Sequence, residues 1–281
     1  MSSSPTNAPV NLNGSPLGAT VAYRDTYAPE LLFPVSRQPQ RDALGIAGPL
    51  PFHGVDVWNG YELSWLDLRG KPVAATLRFD VPADSPNIVE SKSVKLYLNS
   101  LNQTAFDSAA AVEAAITKDL SAAAGATVQV RVQPLMPQAA LARTNFAGTV
   151  IDDVAVDIHH YHPTPELLSA GGHVMEEVLV SHLLKSNCPV TGQPDWAAVR
   201  IAYRGPAIDR ACLLAYIVSY RQHSGFHEHC VERIYTDIMA RCHPERLSVY
   251  ARYTRRGGLD INPFRSSVAG DLPDNDGDLR Q

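Results

Sequence analysis

The stretch VAATLRFDV, Val73 to Val81, puts Val73, Ala75, Leu77, Phe79 and Val81 on one face and Ala74, Thr76, Arg78 and Asp80 on the other. A period of two belongs to a strand with one buried face, because successive side chains of an extended chain point in opposite directions. GYELSWLDL, starting at Gly60, precedes it and reads as its hairpin partner. Beyond it the period changes. SKSVKLYLNSL sets Val94, Tyr97, Leu98 and Leu101 at helical spacing, and SAAAVEAAITKDLSAAAG opens on a capping Ser108 and closes on Gly125. ATVQVRVQPL returns to alternation through Val128, Val130 and Val132, and TVIDDVAVDI, from Thr149, is expected beside it. The first half thus reads β-β-α-α-β-β.

The second half repeats that order without clear sequence identity to the first. HVMEEVLVSHLLK and AAVRIAYRG are strand-like, PAIDRACLLAYIVSYRQH and FHEHCVERIYTDIMARC are helix-like, and RLSVYARYT alternates with Leu247, Val249, Ala251 and Tyr253 on one face. The fold class expected from pattern is α+β, two antiparallel units with helices packed on one sheet face. A disordered tail is expected over 1–20, a first unit over 21–160, a second over 161–265 and a flexible acidic tail over 266–281.

Composition narrows the function. The chain of 281 residues carries 24 Lys+Arg against 29 Asp+Glu, a formal charge of -5, which lacks the basic excess that neutralises nucleic-acid phosphates. No apolar run approaches the roughly 20 residues of a membrane helix. The N-terminal MSSSPTNAPVNLNGSPLGA has neither the basic start nor the apolar core of a secretory signal, so a cytoplasmic protein is expected. In a reducing compartment Cys188, Cys212, Cys230 and Cys242 are free thiols, catalytic groups or metal ligands rather than a disulfide framework.

Three clusters carry possible chemistry. In SNCPVTGQPDWA, Cys188 stands at a strand-to-loop junction and Asp195 in the turn after it, where the loop can fold a carboxylate back onto a thiol. A half-buried cysteine and a solvated aspartate would give the same spacing. FHEHCVE suggests metal, yet His227 and His229 lie about 200° apart on a helix, so they do not ligate one ion there. His227 with Glu228 at a helix start suits acid/base work or holding a polar ligand, and a plain surface face is the bland alternative. Cys212 and Cys242 read as packing residues, and the histidines of IHHYHP as a solvated edge. TRRGGLDINPFR, Thr254 to Arg265, reads as a loop whose arginines and amides can meet phosphate, or as a hairpin turn with solvated arginines. No G-x-G-x-x-G follows a strand, which disfavours a Rossmann dehydrogenase.

Taken together, ESKSVKLYLNS, SNCPVTGQPDW, and FHEHCVERIY followed by LSVYARYTRRGGLDINP resemble the NADPH-dependent nitrile reductases of the queuosine pathway, from about Tyr23 to Arg265. Those enzymes reduce 7-cyano-7-deazaguanine to 7-aminomethyl-7-deazaguanine, and the long chain resembles their two-module form. The resemblance implies tandem tunnelling-fold modules, a cytoplasmic homodimer, NADPH as cofactor and a free base rather than tRNA as substrate. It also implies roles. Cys188 would attack the nitrile to give a thioimide, Asp195 would protonate the nitrogen, and His227 would handle protons and touch substrate. Glu90 and Glu228 would hold the deazaguanine, with Val89 and Ser91 completing its wall. Ser91, Lys92, Arg256 and Gly257 would meet NADPH; no metal is implied. Two alternatives stay open: a zinc-dependent, pterin-forming cyclohydrolase of the same fold class, using Cys188, His227 and Cys230, and a non-catalytic purine-binding protein.

Overall fold

A computed structural model of the chain describes residues 23–135 and 144–281, so the N-terminal tail expected over 1–20 lies outside the described residues. Its first half runs β1 (Pro34–Ser36), α1 (Gln38–Ala43), β2 (His53–Leu66), β3 (Pro72–Pro82), β4 (Asn87–Val89), α2 (Ser91–Asn99), α3 (Ala109–Ala124) and β5 (Gln129–Pro134). The second runs β6 (Thr149–Val150), β7 (Ala170–Asn187), β8 (Pro194–Ile208), α4 (Arg210–Val218), α5 (His227–Cys242), β9 (Arg246–Tyr253) and β10 (Leu259–Ser266). One sheet holds the order β5-β3-β2-β10-β9-β8-β7-β6, while β1 and β4 pair apart from it.

The local reasons are those the sequence carries. β2 and β3 pair antiparallel from Val55↔Pro82 to Leu66↔Pro72, with a register shift between Gly60 and Leu63. Ser108 Oγ accepts from Ala111 N at 3.1 Å at the start of α3, and Gly125, at φ 71°, ends the helix in the left-handed region that a side chain disfavours. Each half has its own core under its helices. Val112, Ile116 and Leu120 of α3 and Tyr97 of α2 pack with Leu77 and Phe79 of β3, whereas Val199, Ile201 and Val249 pack with Leu213, Ile234 and Ile238. Fully burying such a side chain contributes roughly 1.5 to 3 kcal/mol.

Four expectations are corrected. Of TVIDDVAVDI, Thr149 and Val150 form a strand, and it pairs parallel with β7, Thr149↔Leu179, not with the strand at 129–134. Of the stretch Thr254 to Arg265, read as a loop or a hairpin turn, only the part before Leu259 is a turn; the rest lies in β10, which joins the halves by pairing with β2 from Leu259↔Gly60 to Ser266↔His53. Pro263 and the polar Asp260 and Asn262 hid this strand; its polar side chains are buried and mutually bonded. The helix expected over 206–223 ends at Val218 and continues as a tight turn, Ser219–Gln222. The acidic segment after Ser266, expected to be flexible, is bonded to the sheet: Asn275 Nδ2 donates to Asn59 Oδ1 at 2.8 Å, and Asp278 and Gln281 are buried.

Beside the β2–β10 seam lies a buried ionic cluster. Arg37 and Arg265 donate to Asp56 at 2.6 and 2.7 Å, and Arg265 and Arg41 to Glu232 at 2.8 and 2.7 Å. Burial alone would raise Glu232, but Arg265, Arg41 and Arg37 draw it down to about 2. Removing one partner of such a cluster leaves an uncompensated buried charge, at a cost of about 3 to 5 kcal/mol. No helix among the described residues is long and apolar enough to cross a membrane.

Candidate active site

β7 ends at Asn187 and β8 begins at Pro194, and the turn between them closes through Cys188 N donating to Gln193 O at 2.8 Å and Gly192 N to Cys188 O at 3.1 Å. Gly192 sits at φ 67°, a conformation the tight turn demands. Because Asp195 pairs with Ser186 across the hairpin, the carboxylate returns to the level of the thiol. That register explains the spacing of Cys188 and Asp195. Both are buried, at 4% and 7% exposure, and line one cleft of about 550 Å³ including its open mouth. Burial by itself would raise the Cys188 thiol; hydrogen bonds from the Thr191 hydroxyl, the amides of Thr191 and Val190, and Arg256 outweigh it and lower the pKa.

The segment before α5 is tied to the same turn. Asn187 N donates to His223 O at 2.8 Å and Gly225 N to Asn187 O at 3.0 Å, which brings Phe226, His227 and Glu228 to the cleft wall. His227 Nε2 stands 3.4 Å from Asp195 Oδ2, and its ring lies parallel on Tyr253, centroids 3.7 Å apart at 3°. Glu228 is buried, and that burial, with Asp56 near, pushes its carboxyl up to about 7. The next residue, His229, is buried against Phe226, and burial takes its imidazole down to about 4. The helix therefore separates the two histidines.

The opposite wall comes from the first half. Val89 and Ser91 line the cleft, as does Lys95, which the sequence reading missed. Ser91 and Lys95 are four apart on α2, a spacing that puts both on one helix face and was the available signal. Lys92 and Glu90 do not line the cleft. The Glu90 carboxylate caps α2, accepting from Lys92 N at 2.6 Å and Ser93 N at 2.8 Å. Arg256 lines it, with Nη1 3.3 Å from Asp195 Oδ1 and 3.1 Å from Gln193 Oε1. Gly257 borders it at φ 61° in the two-glycine turn between β9 and β10, where a Cβ would come within 3.0 Å of Lys95 Cε. Burial, then the charge of Arg256, lowers the Lys95 pKa.

The remaining thiols differ. Cys230 is enclosed and pushed up to about 12 by burial, Cys242 to about 11, and Cys212 is raised for the same reason. Among the described residues no group of three His, Cys, Asp or Glu side chains is arranged to hold a metal ion.

The family description "Nitrile reductase, 7-cyano-7-deazaguanine-reductase N-term" matches residues 23–132, and "QueF-like protein" matches residues 194–270. A protein of Azoarcus sp. (strain BH72) named NADPH-dependent 7-cyano-7-deazaguanine reductase is 62% identical over 95% of this chain and 95% of its own. This chain belongs to the 7-cyano-7-deazaguanine reductase family. Reductases of the same name from Bordetella avium (strain 197N) and Dechloromonas aromatica (strain RCB) are each 56% identical, covering 93% and 96% of this chain and 96% of each relative. The architecture is the family's tandem tunnelling fold. Its two matched segments are the two walls of the cleft: residues 23–132 bring Val89, Ser91 and Lys95, and residues 194–270 bring Asp195, His227, Glu228 and Arg256. Cys188 stands on the turn that leads into the second.

Proposed function

We propose that this member of the reductase family converts the nitrile of 7-cyano-7-deazaguanine to the aminomethyl group with two molecules of NADPH, through a thioimide on Cys188, as a step of tRNA queuosine biosynthesis. The observation that carries the reading is the pairing of Cys188 with Asp195 and His227 in one buried cleft, with Cys188 the cysteine whose hydrogen bonds lower its pKa.

A nitrile carbon is a weak electrophile, so the attacking sulfur is best as thiolate. The Cys188 thiolate forms a C–S bond as one π bond of the nitrile gives its electron pair to nitrogen, and Asp195 delivers the proton that neutralises it. His227, 3.4 Å from Asp195, replaces that proton and supplies later ones. NADPH, when bound, supplies hydride, and the four-electron gap between nitrile and amine requires it twice. Between the two reductions Cys188 leaves as thiolate, and the cleft encloses the resulting imine away from the water that would hydrolyse it. Glu228 and the wall at Val89 and Ser91 hold the base, since a carboxylate accepts paired hydrogen bonds from an aminopyrimidinone edge. Glu90 supports that wall by holding the start of α2.

The residues present fit NADPH. Lys95 and Arg256 both line the cleft, and the charge of Arg256 disfavours that of Lys95, a repulsion that a phosphate of NADPH held by both would relieve. Lys95 thereby takes the part expected of Lys92. The proposed setting is cytoplasmic and the assembly a homodimer acting on the free base rather than on tRNA.

Cofactor absorbance followed against product tests the reading: two NADPH consumed per aminomethyl product is expected. One NADPH per substrate, or the aldehyde as main product, contradicts it.

A further inference from the structure

β9 and β10 pair only at Phe264↔Tyr250, Arg265↔Val249 and Ser266↔Ser248. Past Tyr250 the strands part, and the cleft uses the opening, with Thr254, Arg256, Leu259 and Ile261 on its wall. Parting strips Tyr253 of the ladder partners for its N–H and C=O on that side, a loss that a buried residue must make good. Two side-chain amides replace them. Tyr253 N donates to Asn262 Oδ1 at 3.0 Å, and Gln281 Nε2 donates both to Tyr253 O at 2.9 Å and to Asn262 Oδ1 at 2.8 Å. Each amide is anchored in turn. Gln281 Oε1 accepts from Asp278 N at 2.8 Å, and Asn262 Nδ2 donates to Asp260 Oδ1 at 2.5 Å, which also accepts from Asn59 at 2.8 Å.

What this clamp holds is the ring beneath His227. Tyr253 is fully buried, and its ring plane fixes that of the imidazole stacked on it. His227 is the first residue of α5, so its side chain has no preceding helical turn to lean on. The stack supplies that support and keeps Nε2 directed at Asp195.

We infer that Tyr253, clamped by Asn262 and Gln281, is a positioning residue for His227, and that the segment 271–281 belongs to the active-site scaffold. The inference rests on the proton-handling part given to His227 above. A double-mutant cycle on single-turnover rates tests it, with Tyr253→Leu and Gln281→Ala each made alone and with His227→Ala. Misplacing a catalytic group by about 1 Å costs up to about 10²-fold, so Tyr253→Leu should lower kcat by about 10- to 100-fold with little change in either KM. Tyr253→Phe, which restores the ring face, should recover most of that loss, and Gln281→Ala should show a smaller loss of the same kind. With His227→Ala present, neither substitution should slow the enzyme further. Losses that persist unchanged in that background overturn the inference, as does a Tyr253→Phe enzyme as slow as Tyr253→Leu. If Tyr253→Leu does not fold, the Gln281→Ala cycle decides by itself. His227→Ala alone reports on the underlying reading: an undiminished rate there removes the proton-handling role and the positioning role with it, whereas a slow His227→Ala enzyme with additive partners removes the positioning role only.

Discussion

Cys188 and Cys230 are both buried, at 4% and 0% exposure, and both lie close to Asp195, yet their thiols are driven in opposite directions. Cys230 sits within a helix whose amides are spent on the helical ladder, and full burial outweighs the hydrogen bonds of the Ser186 and Tyr253 hydroxyls and pushes its thiol up to about 12. Cys188 sits on a tight turn whose amides at Val190 and Thr191, with the Thr191 hydroxyl and Arg256, point at its sulfur and lower the pKa. Where burial outweighs the donors a thiol stays protonated, and where the donors outweigh burial its thiolate, the form that attacks, is favoured.

The largest way to break this contrast is to remove the thiol proposed as nucleophile. Cys188→Ala should cost at least about 10⁴-fold in turnover, the scale at which a covalent route is lost. Cys230→Ala should keep the rate and lose about 0.5 to 3 kcal/mol of stability, as substitutions at packed positions do. Steady-state rates and thermal unfolding of the two variants check this. Next in size, Asp195→Asn should slow turnover by about 10²- to 10⁴-fold, the usual worth of a positioned proton donor. That rate and the rate of adduct formation are to be measured separately, because the variant leaves the thiol in place.

The sequence carried one side of this contrast better than the other. Cys188 and Asp195 were legible because a hairpin turn has few ways to close, and Ser108 and Gly125 marked α3 by side-chain and backbone preferences local to the chain. β10 was not legible, because its polar residues are satisfied by partners far away in sequence, as Asp260 is by Asn59 and Tyr61. Nor was the ordered tail: polar, turn-rich composition measures what a segment cannot bury alone, not the specific bonds that Gln281 and Asn275 make. Lys95 was passed over for Lys92, although only Lys95 shares the helix face of Ser91.

That last difference is testable. A charge-assisted contact is worth about 1.5 to 3 kcal/mol, so Arg256→Ala and Lys95→Ala should each raise the KM for NADPH by about 10- to 150-fold. Lys92→Ala should change it far less, and NADH, without the 2′-phosphate, should be less affected by the first two. An equal loss for both cofactors would mean that these cations hold the shared part of the dinucleotide.

The smallest effect concerns the turn. Because the folded pKa of Cys188 is depressed, its thiolate persists to lower pH than an ordinary thiol's and is lost as pH falls through the folded value. Alkylation of Cys188 should therefore begin at lower pH than that of the other cysteines. Thr191→Val removes one donor worth about 0.5 to 1.5 kcal/mol, so it should move the profile upward in pH and slow alkylation near neutrality by about two- to tenfold. An unchanged profile would assign the lowering to the backbone amides and Arg256 alone.

Intact-protein mass after mixing the enzyme with 7-cyano-7-deazaguanine and no NADPH tests the covalent claim most directly. Addition of thiol across a nitrile expels nothing, so the mass should rise by the full mass of the substrate, with the adduct on Cys188, absent in Cys188→Ala and present in Cys230→Ala. No mass increase, or an adduct that maps to Cys230, would contradict the account.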